Sequence, residues 1–108
     1  MSIESGKRAA HRALVARILE GDGRASRAQR LAAFDGAVPD QPLRTLVEKV
    51  ALRPTRITDD DITAVKASGV TEDEVFELVV CAAVGQATRQ YETALAALAE
   101  AGSGGPEE

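Results

Sequence analysis

The sequence predicts an all-α fold of about five helices with a long C-terminal core helix, and three observations carry that expectation. Residues 69–100 read as a turn, a helix start and one long, mostly apolar helix without proline. Capping boxes, in which a Ser or Thr is followed three residues later by Gln, Asp or Glu, recur at Ser26/Gln29, Thr58/Asp61 and Thr71/Glu74; each satisfies orphan amides at a helix N-terminus. No alternating strand pattern is present anywhere in the chain.

The first helix is expected over residues 6–20, because His11, Leu14, Val15 and Ile18 fall at the i, i+3, i+4, i+7 spacing of one face. Gly21, Asp22 and Gly23 end it. A second helix of about ten residues opens at the Ser26 capping box, carries Leu31, Ala32 and Phe34, and stops at Gly36. Pro39 and Pro42 mark a turn. Leu43, Leu46, Val47 and Val50 then repeat the helical spacing, giving a third helix over roughly residues 41–53 before the Arg53-Pro54 stop. Residues 55–57 are expected to be extended. Thr58 opens a short fourth helix with Ile62 and Val65 on its apolar face, Asp59, Asp60 and Asp61 in its first turn, where the dipole favours anions, and Gly69 at its end. The fifth helix starts at about Glu72. Its apolar residues, Val75, Phe76, Leu78, Val79, Val80, Ala82, Ala83 and Val84, cover nearly every direction about the axis, which predicts burial on several sides. At 1.5 Å per residue it would run roughly 45 Å, too long for one small domain to cover, so part of its face is expected to pack on another chain. Gly85, which costs about 1 kcal/mol of helix propensity relative to Ala, marks a close helix crossing. The chain thus reads as a single helical domain over residues 1–101 with a flexible tail over residues 102–108.

Composition narrows the function classes. With 108 residues there is room for one domain, and 44% apolar residues are enough for a core that oligomerisation would complete. Residues 7–30 carry seven Lys or Arg against Glu20 and Asp22, whereas residues 31–108 carry fourteen acids against six bases. A basic helix pair resting on the acidic remainder accounts for this asymmetry. A nucleic-acid partner is not expected, since the net charge is −4 and Phe34, Phe76 and Tyr91 are the only aromatics apart from His11. No secretory leader and no membrane-spanning run is visible, and a single cysteine suits a reducing cytoplasm.

Few residues carry chemistry. Cys81 is the one candidate nucleophile, with Glu77 one helical turn before it on the same side; a carboxylate there opposes thiolate formation, so a buried small hydrophobe is the favoured role. His11, the only histidine, sits on the apolar stripe of the first helix as an edge-of-core residue, with acid-base work alongside Glu20, Glu48 or Glu77 of a neighbouring subunit as the alternative. His11, Glu77 and Cys81 are therefore the candidate catalytic residues. No cofactor and no metal is expected: there is no His/Cys cluster, no P-loop ending, and the acidic triplet lacks the spacing of a calcium loop. Gln86, Arg89 and Tyr91 are the polar groups of the second half of the long helix. Arg89 is suited to an ion pair, with Glu92 at i+3 or across subunits, and an anion in a pocket is the alternative.

The order short helix, Gly-Val-Thr, acidic cap and long alanine-rich helix, carried by residues 43–50, 62–70 and above all TEDEVFELVVCAAVGQATRQYETALAAL over residues 71–98, resembles the carboxymuconolactone decarboxylase and alkylhydroperoxidase-D-like family. The resemblance implies an alkylhydroperoxidase-D-like helical bundle that forms dimers or rings. Peroxidase members use a Cys-x-x-Cys pair with an upstream Glu and a following His, and the decarboxylase members place a His in the helix before the Gly-x-Thr start; here there is one cysteine, and TDDDITAVKASG has no histidine. A catalytically degenerate member is therefore expected, a homo-oligomeric binding or accessory subunit for a partner enzyme or a small molecule. The alternative is a small-metabolite enzyme with a rearranged intersubunit acid-base site.

Overall fold

The computed structural model describes the backbone of residues 3–103 and the side chains of residues 6–102. Five α-helices follow one another: α1 (Ile3–Glu20), α2 (Arg27–Asp35), α3 (Leu43–Leu52), α4 (Asp59–Ala67) and α5 (Glu72–Ser103). The all-α expectation is met, and each predicted helix is present within a few residues of its expected bounds. Of the tail expected over residues 102–108, Gly102 and Ser103 belong to α5; residues 104–108 lie outside the described residues.

Local chemistry explains most boundaries. Ser26 Oγ accepts from the Gln29 amide at 3.1 Å while Gln29 Oε1 accepts from the Ser26 amide at 3.0 Å, closing the first capping box. Thr58 with Asp61 and Thr71 with Glu74 close the other two. Gly36 ends α2 at φ +69°, and Gly69 turns the chain before α5 at φ +107°, left-handed conformations that glycine adopts without a Cβ penalty. Residues 55–57 depart from expectation: Pro54–Arg56 forms a single 3-10 turn, and Ile57 alone is extended. Pro54 sits at the first position of that turn, where its fixed φ and missing amide suit a helical start, so the proline that stops α3 also nucleates the next turn.

The core forms where α2, α3 and α4 lie on the first half of α5. Ala25, Ala33, Val38, Val47, Leu78, Cys81 and Ala82 make one buried cluster, and Leu46, Val65 and Val75 a second. Leu78, Ala82 and Val65 are fully sealed. Ion pairs join Lys49 to Asp61 at 2.8 Å and Lys66 to Glu72 at 3.5 Å. Gly85 is a crossing point as expected: a Cβ there would overlap the Phe34 carbonyl oxygen at the end of α2.

Of the burial expected for α5 on several sides, part of it against another chain, the chain itself supplies only some. One face alone is buried within the chain, while Phe76 and Leu98 are each 69% exposed and nearly every residue after Gln90 faces outward. The molecule is elongated, 59 × 28 × 20 Å, because the last turns of α5 project past the short helices. Too few elements exist to cover a helix of this length.

Candidate functional site

A cleft of about 620 Å³ opens between α1, the end of α2 and the second half of α5. Its polar groups are Arg8, His11 and Arg12 from α1, Asp35 from α2, and Thr88, Arg89 and Glu92 from α5; Val15, Phe34, Tyr91 and Leu95 supply the apolar wall. The i, i+3, i+4 spacing of Thr88, Tyr91, Glu92 and Leu95 places them on one face of α5. His11 on α1 answers with Arg8 and Val15 by the same rule.

Hydrogen bonds order the cleft. Thr88 Oγ1 lies 2.7 Å from the Val84 carbonyl oxygen and donates its single proton there. His11 Nε2 lies 2.8 Å from the same hydroxyl, so Nε2–H donates to Thr88, and Nδ1 carries the lone pair when the ring is uncharged. The imidazole also stands against the Tyr91 ring, with centroids 5.7 Å apart and planes tilted by 33°. Arg89 Nη1 donates to the Phe34 carbonyl oxygen at 2.6 Å and Nη2 to Gln86 Oε1 at 3.0 Å, holding the guanidinium at the C-terminus of α2, where the dipole favours a cation. Three arginines thus face two carboxylates around a half-apolar hollow.

Glu77 and Cys81 lie elsewhere. They border a smaller recess of about 240 Å³ with Arg17, Ile18, Asp22, Arg30, Phe76 and Val80. Glu77 ties the 21–25 loop to α5: Oε1 accepts from the amides of Arg24 at 3.0 Å and Ala25 at 2.8 Å, and Oε2 from Arg24 at 2.9 Å. These amide bonds, Arg24 first, hold its carboxyl below the ordinary glutamate range, with the charges of Arg30 and Arg24 acting the same way against the cost of burial. Cys81 is 1% exposed. Burial pushes its thiol upward and Glu77 adds to this, while the Arg30 charge opposes. A sealed, protonated thiol is a poor nucleophile.

The expected catalytic set is therefore not assembled within one chain. Glu77 lies eleven residues before Thr88, the partner of His11, roughly 16 Å along the α5 axis, and its lone pairs already serve two amides. Glu20 ends α1 nine residues beyond His11, roughly 14 Å away along that helix, and Glu48 is exposed on α3. Arg30, whose charge acts on Cys81, is not anticipated by the sequence. Its side chain is 6% exposed and Nη1 donates to the Ile18 and Gly21 carbonyls at 3.1 and 2.6 Å, capping the end of α1. The signal available for it was its spacing, three residues before Ala33 on the buried face of α2. Arg12, Thr88 and Tyr91 also went unpredicted as site residues. Among the described residues, no group of three or more His, Cys, Asp or Glu could hold a metal ion, and no helix is long and apolar enough to cross a membrane. No protein-family model, no curated protein and no solved structure matches the chain.

Proposed function

We propose that the chain is a non-catalytic binding subunit of a homo-oligomer, the degenerate form of the scaffold its sequence resembles, and that it holds a small organic anion in the α1/α2/α5 cleft. One observation carries this reading: the α1/α2/α5 cleft contains arginines, a histidine and a tyrosine but no thiol nucleophile, because the single cysteine is sealed in a different part of the molecule. Arg12 and Arg89 supply positive charge for a carboxylate, and Tyr91, Leu95 and Val15 an apolar wall for a ring or short chain. Oligomerisation accords with the exposure of Leu14, Leu31, Leu52, Phe76 and Leu98 on so small a body. A partner enzyme is the natural recipient of what such a subunit binds, and a reducing cytoplasm suits its one free thiol.

The test combines native mass spectrometry of gently isolated protein with thermal-shift titration, using benzoate as the probe. The expected result is a saturable rise in melting temperature that is lost in Arg12→Ala and reduced in His11→Gln, with Cys81→Ser unaffected. Absence of both a retained adduct and a saturable shift sinks the binding reading. Turnover of a lactone or peroxide that disappears in a folded His11→Gln variant establishes the enzyme alternative instead.

A further inference from the structure

The side of α5 turned away from α2 and α3 carries an apolar stripe that the described chain covers only along its α1 edge, where Val80 is half-buried and Tyr91 stands against the His11 ring. Phe76, Val80, Ala83, Ala87, Tyr91, Ala94 and Leu98 follow one another at spacings of 4, 3, 4, 4, 3 and 4 residues. On a helix this places them in one line. Phe76 and Leu98 are 69% exposed, Tyr91 37%, and Ala83, Ala87 and Ala94 are exposed too. No charged residue interrupts the line over its roughly 33 Å, and its outer flank is formed by the uncharged Gln86, Gln90, Thr93 and Ala97. Phe76, Ala87 and Leu98 stand eleven residues apart, a repeat of 3.67 residues per turn that keeps the stripe nearly straight along the axis.

The spacing of the stripe is palindromic about Ala87. The other six positions lie 4, 7 and 11 residues to either side of it. In an antiparallel pair of α5 helices related by a two-fold axis at Ala87, Ala83 meets Tyr91 of the second copy, Val80 meets Ala94 and Phe76 meets Leu98. Large side chains oppose small ones next to the axis, alanine meets alanine on it so that the backbones can approach, and large apolar groups close both ends. A self-complementary patch of this kind is what an isologous interface requires. A heterologous partner would impose no such symmetry.

The stripe alone has a footprint on the order of 330 Å² for a helix about 10 Å wide, short of the roughly 800 Å² per partner of a stable interface. The neighbouring edge of α1 widens it. Arg17 borders the same recess as Phe76 and Val80, and Leu14, one turn earlier on that edge, is 46% exposed.

We infer that the α1/α5 face docks a second copy of this chain in antiparallel register about Ala87, giving a four-helix contact across a two-fold axis. The inference rests on the oligomeric reading above and gives it a surface and a register. It is tested on the full chain by disulfide trapping, with Ala87→Cys, Phe76→Cys and Leu98→Cys made singly in the wild-type background, where Cys81 is sealed, and again in Cys81→Ser. Ala87→Cys is expected to give a linked dimer on mild oxidation, whereas Phe76→Cys and Leu98→Cys link only when the two variants are mixed. Ala87→Arg is expected to halve the mass measured by light scattering with helicity retained. Self-linking of Phe76→Cys and of Leu98→Cys signifies parallel pairing and overturns the register. A dimer that survives Ala87→Arg overturns the face while leaving oligomerisation intact, and a wild-type monomer overturns both. Tyr91 belongs to both the stripe and the cleft wall, so benzoate titration is run on wild type and on Ala87→Arg: a saturable shift in both leaves the binding reading standing whatever the fate of the interface, and its absence in both sinks that reading alone.

Discussion

Gly85 offers the sharpest test of the packing, because propensity and tertiary structure predict opposite signs for one methyl group. In an open helix Gly→Ala is stabilising by roughly 1 kcal/mol. At Gly85 the added Cβ would overlap the Phe34 carbonyl oxygen and stand 2.7 Å from the carbonyl carbon and 2.9 Å from Cα of the same residue. All three are backbone atoms, so no side-chain rotation relieves the clash and α2 must move bodily off α5. Overpacking costs about 1–3 kcal/mol, and contact with backbone places this case at the upper end. Displacing α2 also stretches the 2.6 Å bond from Arg89 to the Phe34 carbonyl, a charge-assisted bond worth about 1.5–3 kcal/mol. Set against the propensity gain, the expected loss is about 2–4 kcal/mol.

Urea unfolding followed by far-ultraviolet circular dichroism, at one fixed protein concentration, measures it. Gly6→Ala in α1 is the internal control: nothing lies within 4 Å of its added Cβ, so it is expected to stabilise by up to about 1 kcal/mol. If Gly85→Ala proves neutral or stabilising alongside Gly6→Ala, α2 does not cross α5 at this point, and the Arg89 bond that depends on the crossing is wrong as well.

Glu77→Gln removes the charge that accepts two loop amides and is expected to cost about 1–2 kcal/mol at neutral pH. Because the carboxyl is held below its unfolded range, that contribution is present above roughly pH 4.3 and fades as the pH falls through the lower folded value; the stability gap between wild type and variant should therefore close in acid, and a gap that widens refutes the assignment. Cys81 is expected to react with a thiol reagent only at the rate of unfolding, with full reactivity in denaturant. Fast labelling of the native protein would show that the burial at α5 is wrong.

The legible part of this fold was the local part. A capping box closes over three residues, so Ser26, Thr58 and Thr71 announced three helix starts by their own chemistry. Gly85 was legible for a related reason, since a poor helix former inside a long helix needs a neighbour that tolerates nothing larger. The cleft was not legible, because His11 and Thr88 are 77 residues apart and nothing in either segment names the other. Arg30 was missed because arginine is ordinarily solvated; here the open carbonyls at the end of α1 draw it inside. The sequence offers Glu77 as a possible acid or base, yet its partners are backbone amides, which leave almost no mark on a sequence. The one trace is Gly23, where a Cβ would come within 2.8 Å of Glu77 Oε1.

The two-fold pairing inferred for α5 also bears on the choice between binding subunit and enzyme. With the axis at Ala87, residue 77 of one copy lies level with residue 97 of the other. His11 is fixed at Thr88, so the partner's Glu77 stays about nine residues, roughly 14 Å, along the axis from it. The interface that best matches the exposed stripe thus leaves the imidazole without the intersubunit carboxylate that an acid-base site built on Glu77 requires. An enzyme using those two residues would need a different surface to bury the α5 stripe. Trapping at Ala87 consequently decides more than oligomeric geometry: a linked dimer at that position removes the His11–Glu77 pairing across this interface and leaves the cleft around His11, Arg12 and Tyr91 to act by binding.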